Sequence, residues 1–357
     1  MIRFGPAGIP LSCKGRTLRD GIEDAHNLGL TALEVQMVRA NTVERYPEEE
    51  EFGVRLADLE EGLVVELLRD DGEDLVPISD PDTLVEEDDT LITMAYSLAS
   101  NYGELLEIGN MARQIDVSLS LHTPYYMDLA ANSELTHRCL DNIRHGALIT
   151  QALQGELVVT HMGLYGALSK AEAAANIGEN IEALMYWWHD LGLTPKLGLE
   201  VSGRQEVFGS LDEILEICDR VEGVVPVINF PQYHAREGGA LLDAQDFIDL
   251  FDRVSDYTKG PIHSHFAGVE HQDGNERRLT PIKKGDLRFE QLAEALVEER
   301  PEITIISSSP LLEHDAMYMK VIHERVLSKK VAKAIRLRRK EEEEAELKAE
   351  EDQEDED

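Results

Sequence analysis

Two periods alternate along this chain. MIRFGPA, TALEVQMV, VSLSLHT, ELVVTHM, PKLGLEV, VVPVINF, PIHSHFA and ITIISSS are short runs with continuous or every-second-residue apolar character. They read as buried strands. Between them lie segments of helical period, at about 17–28, 101–115 and 133–153, from Ser169 to about 191, from Ser210 through LDEILEICDRV, at about 243–255, in LRFEQLAEALVEE and from near His314. Ser169 with Glu172, and Ser210 with Glu213, have the spacing of a capping box, which fixes two of the helix starts. Strands alternating with helices predict a parallel sheet with crossovers. Eight such units, with about 250 core residues, favour an α/β chain closed as a (β/α)8 barrel over an open doubly wound sheet.

The pattern breaks twice. Residues 47–98 contain GVRLADL, GLVVELLRD, DLVPIS and DTLITMAY, with a hairpin signal at Gly72 in RDDGED. This predicts a small β-rich acidic insertion in an early βα loop, either a solubilising decoration or a lid over the barrel's active face. The barrel proper is then 1–46 and 99–325. From 326 to 357 the chain turns basic in KKVAKAIRLRRK and then acidic in EEEEAELKAEEDQEDED. The basic part reads as a continuation of the last helix, and the acidic tail as disordered. Lys329, Lys330, Lys333, Arg336, Arg338, Arg339 and Lys340 form a dense basic cluster that either touches nucleic acid or is neutralised by the adjoining acids.

Net charge sharpens this picture. Of the −37 total, 47–93 carries −16 and the last seventeen residues carry −11, so the rest is also acidic. Such a surface repels nucleic-acid phosphate unless a basic strip or bound metals reverse the field locally. Molar salt screens charge over about 3 Å, so the composition suits a salt-adapted, archaeal, cytoplasmic protein. Cys13, Cys139 and Cys218 are isolated, which excludes a disulfide framework or zinc ribbon. No apolar run approaches the roughly 18 residues of a membrane span, and the opening MIRFGPAG is not a signal peptide.

The chemistry lies just past the strand ends. His122 follows VSLSL, His161 follows ELVVT, Glu200 ends PKLGLE and His265 ends PIHSH. In a (β/α)8 barrel these ends share one mouth, and three histidines with a carboxylate make a divalent-metal site there. A lone strand-end histidine is usually a hydrogen-bonded structural residue; three metal-type residues at successive strand ends favour ligation.

LSLHTPYYMDLA, VVTHMGLYG, LGLEVSGRQ and HSHFAGVE, in that order, resemble the endonuclease IV family of apurinic/apyrimidinic endonucleases, within the xylose-isomerase-like TIM-barrel group. MIRFGPAG, INFPQYHAR and LTPIKKGDLRFE are similar to its archaeal branch. The resemblance spans about 1–46 and 99–325. It implies zinc, with manganese as an alternative, and cleavage of DNA 5′ to an abasic deoxyribose. His122, His161 and Glu200 match the ligands of the first zinc, Glu200 also bridging to a second zinc whose ligand His265 matches. Catalytic roles then fall to Glu200 and His234. Tyr125, Arg204, Asn229 and His263 would face substrate, although Tyr125 and Tyr126 could equally pack at the rim and Arg204 could cap a helix.

The departures are substantial. Asn229, Gln232 and Ser308 stand where the family has Asp, His and Glu, and Arg277 and Leu279 where it has an Asp-x-His pair. The third metal site is thus lost as aligned and the second weakened, leaving one zinc, or two. His234, His263, His271, Asp273 and Glu276 are possible replacements. Reduced or altered activity is expected. One alternative is a sugar or sugar-phosphate isomerase or epimerase, whose usual Glu, Asp, His and Glu ligands are broken by the same Asn229 and Ser308. Another is a non-catalytic metal- or DNA-binding protein. Partners are DNA with abasic sites or a small sugar phosphate, and the expected state is monomeric.

Overall fold

The computed structural model describes residues 1–354 apart from 39, 40, 73, 96, 97 and 259. The chain opens with β1 (Ile2–Pro6), α1 (Leu18–Asn27), β2 (Ala32–Gln36) and β3 (Thr42–Arg45), then β4 (Val64–Asp70), β5 (Leu75–Ile78) and β6 (Thr90–Met94). It continues with α2 (Tyr102–Gln114), β7 (Ser118–His122), α3 (Glu134–Ala152), β8 (Leu157–Thr160), α4 (Lys170–Asp190), β9 (Lys196–Glu200) and α5 (Leu211–Arg220). The last part is β10 (Val224–Asn229), α6 (Phe230–Arg236), α7 (Ala244–Thr258), β11 (Ile262–Phe266), β12 (Gly268–Gln272), β13 (Asn275–Thr280), α8 (Phe289–Glu299), β14 (Ile303–Ser307) and α9 (Glu313–Glu354).

Eight parallel strands run β1-β14-β11-β10-β9-β8-β7-β2, and these are the eight runs expected from the apolar pattern. The seam between β1 and β2 closes through a parallel bridge from Ala7 to Glu34 and a Thr31 N–H bond to the Phe4 carbonyl at 3.0 Å. Gly5 is required at this seam: a Cβ there would sit 2.1 Å from the Ala32 carbonyl oxygen. The chain is therefore a (β/α)8 TIM barrel. Leu157, Val159, Val225 and Val227 form an apolar plug of their own, as the packed interior of such a barrel demands. Outside, Phe4, Phe289, Phe266 and Phe230 make consecutive ring contacts that join β1, α8, β11 and the start of α6. Both capping boxes form as expected, with Ser169 opening α4 and Ser210 opening α5. Trp188 of the MYWW run is fully buried and donates to the Pro195 carbonyl, whereas Tyr186 faces outward.

Three details differ from the sequence expectation. The insertion is a four-stranded antiparallel sheet, β3-β6-β4-β5, that already begins at Thr42, and GVRLADL contributes a 3-10 turn at Leu56–Asp58 rather than a strand. In its expected hairpin, Glu73 lies outside the described residues, as do Tyr96 and Ser97 at its end. Second, GVEHQDGNE, to which the apolar pattern assigns neither strand nor helix, forms the antiparallel hairpin β12–β13. Asp273 and Gly274 both adopt positive φ at its tip, the geometry a two-residue Asp-Gly turn supplies. Third, the tail expected to be disordered continues α9 to Glu354. Glu, Ala, Lys and Leu all favour helix, and Arg338 pairs with Glu342 one turn on. Residues 355–357 lie outside the described residues.

Candidate metal centre

The two-residue period of a strand turns the last inward residue of each C-terminal strand end into the barrel. His122, His161, Glu200, Asn229, His265 and Ser308 accordingly line one cavity of about 360 Å³. Glu34 of β2 joins them, which the sequence reading missed. Its signal was available: an acid in the middle of ALEVQ, a strand buried almost throughout, must find a charged partner.

Glu200 is the hub. Its Oε2 lies 3.2 Å from His122 Nε2 and 3.1 Å from His161 Nδ1. His122 Nδ1 is 2.8 Å from the Thr123 carbonyl and so carries a proton, which makes Nε2 the nitrogen aimed at the carboxylate. Burial opposes charge on His122, but Glu200 raises its pKa, so in the metal-free chain a proton on Nε2 meets the carboxylate; a divalent ion can take that proton's place. Ligand atoms around a tetrahedral cation with bonds of about 2.0–2.1 Å stand roughly 3.3 Å apart. Both N···O spacings match that edge and the three ligand atoms lie within 4.8 Å of one another, so His122, His161 and Glu200 fit a divalent ion as a three-ligand set. Burial pushes His161 down to about 4, which keeps its ring neutral and able to ligate at physiological pH.

The other carboxylate oxygen is occupied differently. Glu200 Oε1 accepts from Asn229 Nδ2 at 2.9 Å and lies 2.5 Å from His265 Nδ1. The His265 contact is too oblique for a full hydrogen bond, so it is chiefly ionic. Asn229 also caps α6, its Oδ1 accepting the Gln232 N–H at 3.1 Å. That cap fixes which way the amide points: nitrogen to Glu200, oxygen to the helix. A donor N–H thus stands where a carboxylate ligand would be needed for a second ion beside Oε1, and Ser308, whose Oγ is buried without a partner, supplies no charge there. We expect Asn229→Asp to place two buried carboxylates against each other. With chelator present it should lower stability by about 1–3 kcal/mol, and added zinc or manganese should restore it; a thermal melt unchanged under both conditions would refute this account of Asn229.

His265 stands between two acids. Its Nε2 is 2.9–3.0 Å from both oxygens of Glu34, which also accepts from His263 Nε2 at 3.0 Å and from Gln36 at 2.9 Å. Burial opposes charge on His265, yet the carboxylates of Glu34 and Glu200 push it up to about 10. Burial would likewise raise Glu34 and Glu200, but the imidazoles around them, His265 foremost, hold both well below the usual carboxylate range.

Other expected site residues fall at the rim or elsewhere. Tyr125 stacks edge-on against His161 with centroids 5.0 Å apart, and Tyr126 is exposed. The half-exposed Arg204 lies 3.9 Å from Glu206. Gln232 accepts the Gly203 N–H. The Glu276 backbone donates to the Gly203 carbonyl, and burial raises the Glu276 carboxyl. His263 sits deeper than a rim residue and also lines a cavity at the N-terminal end of the barrel.

His234 is placed outside the central group. It is fully buried in α6, beside His271 and Asp286. Its Nδ1 accepts the Leu241 N–H at 3.1 Å, and burial keeps the ring neutral. Its proton is therefore on Nε2, facing Asp286 Oδ1 at 3.3 Å, while His271 reaches Oδ2 at 3.2 Å. This is a latch joining hairpin β12–β13 to α6, not a set of free lone pairs, and Asp273 belongs to the hairpin turn. Because Asp286 is half exposed, Asp286→Ala should cost only about 0.5–1 kcal/mol, seen as faster amide exchange confined to 268–280.

Fold and site together define a TIM barrel with a candidate metal centre at its C-terminal mouth. A family profile described as "Xylose isomerase-like TIM barrel" matches residues 65–310, and the chain belongs to that family. An uncharacterized protein of Methanocaldococcus jannaschii is 30% identical over 210 residues, covering 57% of this chain and 76% of the relative. Among solved structures, endonuclease IV from Thermus thermophilus superposes with a TM-score of 0.58 at 14% identity, over 91% of this chain and 99% of that one. The D-psicose 3-epimerase of Clostridium cellulolyticum gives 0.52 at 11%, over 90% and 99%. At these identities the likeness is one of fold. Among the described residues no helix is long and apolar enough to cross a membrane.

Proposed function

We propose that this protein is a metal-dependent hydrolase of the endonuclease IV type, cleaving DNA phosphodiesters at abasic sites. The observation that carries the reading is the convergence of His122 Nε2 and His161 Nδ1 on Glu200 Oε2. Three protein donors with a further position left to solvent are the pattern of hydrolytic rather than structural zinc sites. A zinc or manganese ion there would supply Lewis-acid polarisation of a phosphoryl oxygen and a lower pKa for water. Thr123 orients His122, Asn229 holds Glu200, and Glu34 holds His265. Tyr125 and Tyr126 present ring faces on which an unpaired base or sugar stacks. Arg204 at the rim offers local positive charge against a surface that otherwise repels DNA. On this reading the protein is a cytoplasmic monomer adapted to salt, with one ion at the mouth in place of the three that the endonuclease IV resemblance implies.

An abasic-site duplex incubated with the protein and zinc or manganese, at low and high salt, tests the reading. Nicking 5′ to the abasic sugar, lost in His161→Asn, is expected. Tight binding without nicking would mark a recognition protein instead. A second reading, sugar or sugar-phosphate epimerase, is favoured by one observation: the cavity of about 360 Å³ is of monosaccharide size, with Glu34 and Glu200 on either side of His265. Solvent-deuterium incorporation into a ketose, without nicking of DNA, would replace the hydrolase reading with that one.

A further inference from the structure

We propose a second divalent-cation site inside the barrel, below the mouth, formed by Glu34, His263 and His265. The three are buried or nearly so and drawn from β2 and β11, which are not neighbours in the sheet. Their ligand-type atoms lie within 4.8 Å of one another. His263 Nε2 is 3.0 Å, and His265 Nε2 2.9 Å, from the same oxygen, Glu34 Oε2. These separations approach the edge expected for donors sharing one ion with bonds of about 2.0–2.1 Å. Two imidazoles and a carboxylate suit zinc and its first-row neighbours rather than magnesium or calcium.

The surroundings fit a site rather than a chance cluster. Gln36 Nε2 donates to Glu34 Oε1 at 2.9 Å and so orients the carboxylate. With an ion on Nε2, His265 keeps its proton on Nδ1, 2.5 Å from Glu200 Oε1. The negative charge of Glu200 beside the ring stabilises that protonated nitrogen, and through His265 Glu200 would link this ion to the one at the mouth. The site borders cavities at both ends of the barrel. Glu34 and His265 line the mouth cavity, while His263 lines the cavity of about 460 Å³ at the N-terminal end. The site does not depend on what the mouth does to a substrate, and metal counting separates the two questions.

The test is equilibrium titration of the chelator-treated full chain with cobalt(II), read by its visible absorption and by metal per chain after desalting. Two equivalents are expected for the wild type. One should remain in His263→Asn, which spares the mouth ligands, and one in His161→Asn, which spares the inner set. Glu34→Gln, if it folds, should weaken the inner equivalent by at least ~10-fold, as loss of a supporting carboxylate commonly does. Saturation of the wild type at one equivalent, or two equivalents persisting in His263→Asn, would overturn the proposal.

Discussion

Glu200→Gln is expected to cost more than any other single change in this chain. It removes the charge that His122 and His161 face at 3.2 and 3.1 Å and that His265 faces at 2.5 Å. It also sets one amide against another, because Asn229 already donates to this side chain. Removing an outer supporting carboxylate costs about 10–100-fold in metal affinity; loss of a direct ligand of the mouth should exceed ~100-fold. Any nicking activity should fall with it. Because a buried His265 would then keep only Glu34 as counter-charge, the metal-free variant should also melt lower. Isothermal titration with zinc and a thermal melt read the two effects separately. Affinity within a few-fold of wild type would remove Glu200 from the centre.

The second large effect is the pH dependence of the metal-free protein. His265 is held up to about 10 by its two carboxylates, and His122 is also raised, burial being outweighed by Glu200. Both are protonated in the native state from pH 6.5 upward, where unfolded histidines are not, so stability falls as pH rises from about 6.5 toward 10. His161 and His145 are pushed down to about 4 by burial, and His263 is lowered by burial as well. These stay neutral in the native state while the unfolded chain takes up protons, so stability also falls as pH drops below about 6.5. Below about 4.5 the depressed carboxyls of Glu34 and Glu200 add to the loss. The melting temperature with chelator should therefore peak near pH 6.5 and decline on both sides. Saturating zinc replaces protons in the same cluster, so it should abolish the alkaline decline. A melting temperature that is flat or rising between pH 7 and 9.5 in chelator would contradict the charge assignment.

The barrel was legible because each strand carries its own apolar run, and each His or Glu at a run's end shares the parity of the inward positions. His122, His161, Glu200 and His265 could be placed in one mouth on that basis alone. Glu34 was not, because attention to strand ends overlooks an acid in mid-strand whose partners, His263 and His265, lie more than 200 positions away. His234 was drawn toward the site by its nearness in sequence to Asn229. One short helix, α6, is enough to turn it instead toward Leu241 and Asp286. The hairpin β12–β13 could have been found from Asp273–Gly274. The helical tail could not: its charge density reads as solvation, and only the continuity of α9 carries it onward.

The central claim is that the mouth binds a divalent ion through His122, His161 and Glu200, and that Asn229 closes the neighbouring position. Crystals grown with zinc and measured at its absorption edge test this directly. An anomalous peak about 2.0–2.3 Å from His122 Nε2, His161 Nδ1 and Glu200 Oε2, with none between Glu200 Oε1, Asn229 and Ser308, is the predicted result. No peak at the first position, or a peak touching Asn229, would contradict it.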